Sequence, residues 1–444
     1  MPTRSWRIFV ASALASLLLG ACASKPRPVA EAPMSPEQRE LALKSFDQVW
    51  ETIRDRHFDA TYNGVDWNAV RDEFRPRAEQ AQRLSEARAA MQGAIDRLNQ
   101  SHFGIIASEA YSSLASKKGD AAGSTAGPGS TGIHARVLGD EAYVFRVDPA
   151  SAAEQAGVKP GWRIDRIDDR KVAELFNAVN AAYAGQVKRD AMAAFALRSA
   201  LNGKEGERTS LTLHDGRRSR GVNLVQGPPA GRPVTVMALP DYYLTQEART
   251  LPSGVGYIAF SVFMDPRLVV WFGERVREFN GTGAPGLIID LRGNPGGIGA
   301  MAMGMGNWLV STPDQKLGTM MTRDLTLNFV LNPQAAPFKG PVAVLTDELS
   351  ASTSEILAGG LQDLGRARVF GTQTPGMALP SVVVELPTGD GFQFAQANYV
   401  SADGVALEGF GVTPDEPTPL DPAALRAGRD TTLEAAERWI LSQR

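Results

Sequence analysis

The segment GLIIDLRGNPGG, residues 286–297, predicts the architecture of the C-terminal half of the chain. Its apolar residues at 287–289 run continuously instead of alternating with polar residues, which is typical of a strand in a sheet that is buried on both faces. The glycines that follow predict a turn into a helix, which we place at 299–310. The segment 286–291 is therefore predicted to be a strand of an α/β core.

Strand-like and helical segments alternate on both sides of this stretch. We predict strands at 256–262, 342–346 and 368–371, helices at 267–279 and 352–364, and a hairpin formed by 381–385 and 392–399. This alternation is what an α/β domain requires when helices cover its sheet. The predicted core domain spans residues 234–444.

Two further regions precede the core. Apolar residues recur at helical spacing between residues 36 and 115 and predict an N-terminal helical region. Gly, Ser, Ala and Lys dominate residues 116–131, where nothing is available for burial, and prolines recur at 228–233. Both stretches are predicted to be linkers. Residues 125–228 between them are predicted to form a separate α+β domain.

This middle domain contains a segment, residues 148–164, that resembles the signature of PDZ domains. PDZ domains hold an extended peptide by strand addition and capture its terminal carboxylate with backbone N–H groups. The resemblance assigns peptide binding to the loop residues Gly132, Ile133 and His134. His134 stands where related loops often have glycine, and Trp162 replaces the usual aspartate. The alternative is a β-rich domain that only separates its neighbours.

The N-terminus is typical of a targeting signal. Arg4 and Arg7 precede an apolar run at 8–19, which is too short to span a bilayer. The following residues, LGAC at 19–22, resemble the lipobox of bacterial lipoproteins. That resemblance implies a signal peptide at 1–21, a lipid on Cys22, a tether at 22–35 and an outer-membrane location in the bacterial envelope, facing the periplasm. An ordinary secretory signal is the alternative.

Composition excludes several function classes. The chain has 46 basic and 49 acidic residues and a net charge of −3, so it lacks the positive surface that nucleic-acid binding needs. Its single cysteine excludes an internal disulfide, an all-cysteine zinc site and an iron–sulfur cluster. No HExxH motif occurs. We therefore predict no metal and no organic cofactor.

Two loops of the predicted core carry the chemistry. The glycine-rich turn in 290–297 can direct backbone N–H groups towards an oxyanion or phosphate, although it is also what a tight strand-to-helix turn requires. The second loop, DELSASTSE at 347–355, also leads into a helix. Ser352 and Glu355 fit a capping box. A serine at a helix N-terminus is also well placed as a nucleophile.

The motif SASTSEI at 350–356, preceded by DLRGNPGG at 290–297, resembles the tail-specific (C-terminal-processing) and tricorn-core family of serine peptidases. The resemblance extends to NGVDW at 63–67 and EGFGVTPD at 408–415, so it covers nearly all of the mature chain. It implies a crotonase-like core of ββα layers and makes Ser352 the nucleophile.

The base differs between branches of this family. The processing branch uses a lysine about 25 residues after the serine, but the matching turn here carries Met377, and the last lysine of the chain is Lys339. The tricorn-like branch uses histidine, and LNQSHFG at 98–104 closely resembles its motif. The resemblance therefore makes His102 the general base, and the reference pKa of histidine, about 6.5, suits that role.

The remaining site residues also follow from the resemblance. A glutamate before a G-x-G-x-x-P-D motif orients the histidine in the tricorn-like branch. That glutamate matches Glu408, with Ser101 as the auxiliary serine. Glu408 has the alternative of being a surface carboxylate beside a turn. For the oxyanion hole we predict the backbone N–H of Gly296 or Gly297 together with that of Thr353.

The sequence thus predicts a membrane-tethered serine endopeptidase that cleaves protein or peptide substrates, which it would recognise by their C-terminal tails. The same fold also occurs in the retinoid-binding modules of vertebrate eyes. A non-catalytic, PDZ-bearing binding or adaptor lipoprotein is therefore the alternative.

Overall fold

The computed structural model describes residues 31–108, 127–234 and 242–443. The predicted signal peptide and Cys22 lie outside these ranges. Within them, no helix combines the length and the apolar character needed to cross a membrane. The N-terminal part is helical, with α1 at Pro36–Arg56, α2 at Trp67–Gln80 and α3 at Leu84–Asp96.

The helical region is attached to the core by a short strand. Strand β1, Gly104–Ile106, pairs antiparallel with β20, Gly391–Ala395, which forms a hairpin with β19, Ser381–Glu385. The apolar faces of α1–α3 pack on this hairpin in one hydrophobic cluster that includes Phe46 and Phe392. Since β1 begins two residues after His102, this pairing fixes the position of His102 relative to the core.

The middle region is an α+β unit. Its strands are β2 (Pro128–Ser130), β3 (Ile133–Leu138), β4 (Glu141–Val147), β5 (Arg163–Ile167), β6 (Arg170–Lys171), β7 (Asn202–Lys204), β8 (Arg208–His214) and β9 (Ser219–Val225). Its helices are α4 (Ala152–Gln155), α5 (Val172–Tyr183) and α6 (Arg189–Leu201). The main sheet has the order β3-β4-β5-β8-β9, so β3 lies at an edge.

The C-terminal region contains the central sheet of the molecule. Its further strands are β10 (Arg232–Val234), β11 (Tyr242–Leu244), β12 (Gln246–Thr250), β13 (Gly256–Phe260), β14 (Leu287–Asp290), β15 (Gln315–Met321), β16 (Thr326–Leu331), β17 (Val342–Thr346), β18 (Ala367–Gly371), β21 (Asn398–Ser401) and β22 (Glu416–Pro417). Its helices are α7 (Arg267–Gly281), α8 (Ala300–Gly306), α9 (Thr353–Asp363), α10 (Pro422–Arg426) and α11 (Thr431–Ser442). The sheet order is β12-β13-β14-β17-β18-β22, parallel except for β12.

Helices cover both faces of this sheet. Phe272 and Val276 of α7 and Leu357 of α9 pack on one face, and Ala436 and Ile440 of α11 pack on the other. All residues of β14 and β17 are buried. The prediction of an α/β core whose sheet is buried on both faces is therefore confirmed.

Three local predictions differ from the structure. The segment 392–399 is not one strand, because β20 ends at Ala395 and β21 pairs with β15 instead. The hairpin β15–β16 is missing from the prediction, and its register shifts between Lys316 and Gly318, which interrupts the strand pattern. The end of the predicted linker 116–131 forms β2, which pairs with β7. The part of that linker at 116–126 lies outside the described residues.

Candidate active site

Ser352 lies at the junction between the central sheet and a helix. The loop 347–351 connects β17 to Ser352, which directly precedes α9. Ser352 is buried and has φ 56° and ψ −114°, a conformation that costs a non-glycine residue of order 1–3 kcal/mol. Its neighbour Ser350 has a structural role, because its hydroxyl donates to the Leu291 carbonyl at 2.8 Å. A strained backbone such as that of Ser352, held in place by its surroundings, is frequent at catalytic positions.

A buried carboxylate holds the backbone of Ser352. Glu355 accepts hydrogen bonds from the Ser352 N–H at 2.9 Å, the Gly376 N–H at 2.8 Å and the Met377 N–H at 3.0 Å, and from the Thr374 hydroxyl at 2.6 Å. Burial raises the pKa of Glu355 to about 7, and these donors oppose the shift. Glu355 therefore supplies its half of the predicted capping box and also fixes the turn that carries Met377.

The glycine-rich turn after β14 packs directly against the serine. A Cβ atom on Gly296, whose φ is 98°, would lie 2.8 Å from Ser352 Cβ and 2.8 Å from Thr353 N. The Gly296 N–H donates to Asn294 Oδ1 at 2.9 Å. Thr353 Oγ1 donates to the Gly297 carbonyl at 2.8 Å. The turn thus lies against Ser352 and Thr353, where the sequence predicts the oxyanion hole. The Gly296 N–H, one of the predicted donors, already donates to Asn294.

His102 is connected to Glu408 through Ser101. The Ser101 hydroxyl lies 2.6 Å from His102 Nδ1 and donates to Glu408 Oε2 at 2.7 Å. The Ser101 N–H donates to Glu408 Oε1 at 2.6 Å. His102 and Ser101 are both 4% exposed, and the half-buried Glu408 carboxylate is bound to Ser101 by two hydrogen bonds.

Burial governs the protonation of this network. It lowers the pKa of His102 to about 3, and the positive charge of Lys188 adds to that shift. The same burial raises the pKa of Glu408, while its hydrogen bonds from Ser101 and Ala378 oppose the change. His102 is therefore a neutral imidazole at neutral pH, which is the form that a general base requires.

The turn at Met377 joins the serine to the His102 network. Met377 donates its N–H to Glu355, and the Ala378 N–H donates to Glu408 Oε2 at 3.1 Å. The side chain of Met377 is buried and packs in an apolar cluster with Leu349, Ala351 and residues of the middle region. The backbone at Met377 and Ala378 thus connects two carboxylates, Glu355 and Glu408.

Sequence reasoning missed a lysine near this site. Lys188 lies just before α6 in the middle region, and its charge acts on both His102 and Glu408. Burial lowers the pKa of Lys188, and Glu408 and then Asp96 oppose that shift. No local motif could have identified Lys188, because it is more than eighty residues from His102 in the chain.

The middle region also contacts the loop 347–351, which precedes Ser352. Arg136 of β3 forms a buried ion pair with Asp347, and the Val137 N–H donates to Glu348 Oε1 at 3.1 Å. Burial, together with the neighbouring Asp347, raises the pKa of Glu348 to about 8. These contacts place the edge strand β3 against the loop that leads to Ser352.

The predicted peptide-binding loop makes hydrogen bonds within itself. The Gly132 N–H donates to Ser130 Oγ at 3.0 Å, and the Ile133 N–H donates to Thr131 Oγ1 at 3.3 Å. His134 Nε2 lies 2.8 Å from Asp148 Oδ1. A terminal carboxylate could bind the Gly132 and Ile133 N–H groups only by replacing these side chains.

Two family profiles match the chain. Residues 254–418 match Peptidase family S41, and residues 42–91 match the Tricorn protease C1 domain. The first segment contains Ser352, Glu408 and the glycine-rich turn, and the second covers most of α1–α3. Within the described ranges, no group of three or more His, Cys, Asp or Glu side chains could hold a metal ion.

Named relatives align over most of the chain. The C-terminal processing peptidase, chloroplastic, of Tetradesmus obliquus is 25% identical over 390 residues, which cover 86% of this chain and 77% of the relative. The carboxyl-terminal-processing protease of Picosynechococcus sp. is 27% identical over 404 residues, which cover 90% of this chain and 87% of the relative. The similarity therefore extends well beyond the catalytic motifs.

Solved structures share the fold. The photosystem II D1 C-terminal processing protease superposes with a TM-score of 0.58 at 22% identity and covers 91% of this chain and 97% of its own. Mature CPAF complexed with lactacystin superposes with a TM-score of 0.62 at 15% identity and covers 91% of this chain and 98% of its own. This chain thus shares its overall fold with these proteins.

Proposed function

We propose that this chain, a serine peptidase related to the carboxyl-terminal-processing proteases, hydrolyses peptide bonds through an acyl-enzyme formed on Ser352. The observation that carries the proposal is the hydrogen-bond chain from the half-buried Glu408 through the buried Ser101 to the buried His102. Such a chain fixes the tautomer of an imidazole, which a histidine with a purely structural role does not require.

The hydrogen bonds support one direction of proton transfer. Because the Ser101 hydroxyl donates to Glu408, its oxygen accepts the Nδ1–H of the neutral His102 ring. Nε2 then carries the lone pair that takes the Ser352 proton as the hydroxyl attacks the substrate carbonyl. The ring becomes an imidazolium, which the Glu408 carboxylate stabilises through Ser101. The same proton then passes to the leaving amine, and water hydrolyses the acyl-enzyme.

The tetrahedral intermediate needs donors for its oxyanion. Thr353 is the first residue of α9, where N–H groups have no acceptor within the helix and the helix dipole favours negative charge. We propose its N–H as one donor and that of Gly296 or Gly297 as the other. The Gly296 N–H donates to Asn294 Oδ1 and would have to exchange that acceptor for the oxyanion. Gly296 also provides the space that lets the turn approach Ser352.

We also propose that the middle region is a PDZ-like domain that selects substrates by their C-terminal tails. Its sequence signature and its edge strand β3 support this assignment. The names of the relatives point the same way, since they describe C-terminal processing. A substrate with a free C-terminal carboxylate should be cleaved faster than the same substrate ending in an amide. Equal rates would contradict recognition of the carboxylate.

A lipid anchor on Cys22 completes the proposal, with the enzyme on the outer membrane facing the periplasm. Its support is the lipobox at 19–22, followed by the Pro- and Ala-rich tether. The wild-type protein expressed in a bacterium should partition into the detergent phase, and the Cys22→Ser variant should not. Equal detergent-phase recovery of both proteins would contradict this anchor.

Degradation of an unfolded protein tests the activity itself. A soluble form that begins at Ser35 should convert a reduced, alkylated protein into peptides, and Ser352→Ala should abolish that conversion. The variant retains the fold because the change removes one hydroxyl. Product formation by the Ser352→Ala protein would show that another residue, or a contaminant, carries the activity.

A further inference from the structure

His57 lies at the C-terminal end of α1, and its ring is completely buried. Two aromatic rings pack on it in nearly parallel orientation. The centroid of Phe58 lies at 4.6 Å and that of Phe103 at 5.5 Å. Phe103 directly follows His102 in the chain. The face of the His57 ring therefore contacts the residue on one side of the Ser101–His102 pair.

The edge of the same ring contacts the residue on the other side of the pair. His57 Nε2 lies 2.8 Å from Oε1 of Gln100, which directly precedes Ser101. Nδ1, on the opposite edge of the ring, lies 2.8 Å from the Asp59 carbonyl oxygen and 3.1 Å from the Asp59 nitrogen. Gln100 Oε1 can only accept a hydrogen bond, so Nε2 is the donor in the contact with Gln100. His57 is thus bound to both residues that flank the pair, although it is more than forty residues away in the chain.

The segment that carries His102 needs such support because its backbone is strained. Asn99 has φ 50° and His102 has φ 61°, in the left-handed region that non-glycine residues rarely adopt. Asn and His tolerate this region better than most non-glycine residues, but it still costs free energy, and the surroundings hold the backbone there. The Asn63 side chain adds a hydrogen bond to the Leu98 carbonyl at 2.9 Å. Without these contacts the segment could relax and turn the imidazole away.

His57 is itself fastened to the catalytic core. The guanidinium of Arg323, in the turn between β15 and β16, donates to the carbonyl of His57 and to that of Arg54 at 3.0 Å. The core therefore holds the end of α1, and the ring of His57 extends from that end to the segment at 98–103. This path does not depend on the Glu408 network.

We propose that His57 is a positioning residue for the base of the reaction proposed above: its ring holds Gln100 and Phe103, so that the His102 imidazole keeps the orientation needed to accept the Ser352 proton. The inference rests on the proposed function. His57 touches none of the reacting groups and acts only through the segment at 98–103.

Labelling by a fluorophosphonate tests this role without knowledge of the substrate. The maximal inactivation rate reports activation of Ser352, and the half-saturating probe concentration reports binding. His57→Phe keeps an aromatic ring but cannot donate to Gln100. Since a misplacement of about 1 Å costs about 10²-fold in rate, we expect the maximal rate to fall about 10- to 100-fold. The half-saturating concentration should change by less than about threefold, because probe binding does not use the segment.

Three comparison variants separate positioning from stability. Trp50→Phe removes a buried hydrogen bond of the same helix, from Trp50 Nε1 to the Trp67 carbonyl at 2.8 Å, whose acceptor lies outside 98–103. It should leave the labelling rate per folded molecule within about twofold of wild type. His57→Gln places an amide donor near the position of Nε2 and should recover most of the rate that His57→Phe loses. Gln100→Ala, at a partly exposed position, should reproduce the loss even if His57→Phe does not fold.

The outcomes are distinguishable. If the wild-type protein is not labelled on Ser352, the proposed function fails, and the role of His57 fails with it. If the wild type is labelled and both His57→Phe and Gln100→Ala react within about twofold of it, the inference alone is overturned. Equal slowing by Trp50→Phe and His57→Phe would also overturn it, because the effect would then be general destabilisation.

Discussion

Glu408 accepts two hydrogen bonds from Ser101, one from the backbone N–H at 2.6 Å and one from the hydroxyl at 2.7 Å. The two residues are 307 positions apart in the chain. The pairing places the carboxylate where it fixes the backbone and the hydroxyl of Ser101 together. Removal of the negative charge should therefore affect the orientation of His102 more than the fold.

Glu408→Gln should lower kcat by about 10²-fold, because its amide cannot accept both bonds from Ser101 and cannot stabilise the imidazolium. Ser101→Ala should have a similar effect, since it breaks the same chain at its centre. The double variant should be no worse than the poorer single variant, which a double-mutant cycle will measure. Fully additive losses would contradict a relay through Ser101.

The acid limit of activity should lie well below the usual range of histidine. Burial lowers the pKa of His102 from 6.5 to about 3, so the ring remains a neutral base until the solution is strongly acidic. His102→Ala should lose orders of magnitude in kcat. The measurement is the pH profile of kcat/KM, which reports the free enzyme.

The titration of Glu355 must be distinguished from that of His102 in this pH profile. Burial raises the pKa of Glu355 to about 7, and the Glu355 carboxylate accepts a hydrogen bond from the Ser352 N–H. A midpoint near 7 that disappears in Glu355→Gln belongs to Glu355. A midpoint near 6.5 that persists in that variant would contradict the assignment of His102.

The same shift of His102 predicts a pH dependence of stability. The folded-state pKa lies below that of the unfolded chain, so the unfolded chain takes up the proton first. The stability associated with the neutral ring is present above pH 6.5 and is lost as the pH falls towards 3. Urea unfolding should show a smaller loss on acidification for His102→Gln than for the wild type.

Gly296→Ala should inactivate the enzyme by at least about 10²-fold, because the new Cβ would press on Ser352 Cβ and Thr353 N at 2.8 Å. Gly365→Ala is the matched control. Gly365 also has a positive φ, 61°, but its Cβ would meet nothing within 4 Å. Gly365→Ala should lower the free energy of unfolding by about 1 kcal/mol and leave kcat unchanged. Equal kcat losses in the two variants would contradict a specific contact at Ser352.

Met377→Lys should not raise activity. The Met377 side chain is 4% exposed and packs with Leu349 and Ala351, so a lysine there would lower the unfolding free energy by about 1–3 kcal/mol. Met377→Leu should be nearly neutral, since it preserves volume and keeps the N–H that Glu355 accepts. An increase of kcat in Met377→Lys would show that a lysine base still fits this site.

Motif resemblance predicted catalytic residues on three separate segments, and two of these segments meet in the structure at Ser101 and Glu408. It predicted the α/β core because the apolar run at 287–289 is continuous and local. It did not predict that Asn294 takes the Gly296 N–H, that Lys188 lies near His102 or that His57 contacts Gln100. These contacts join distant segments, and no local periodicity or spacing encodes such pairings.

Mass mapping after fluorophosphonate treatment is the most direct test of Ser352 as an activated nucleophile. An ordinary capping hydroxyl does not react with this electrophile, whereas a serine activated by a neighbouring base does. We predict an adduct on the peptide that contains Ser352, no adduct in Ser352→Ala and labelling slowed at least about 10²-fold in His102→Ala. The wild type should be treated with and without an unfolded protein, because a closed site can open on substrate binding. An adduct on Ser350, or an unlabelled wild type under both conditions, would contradict the account.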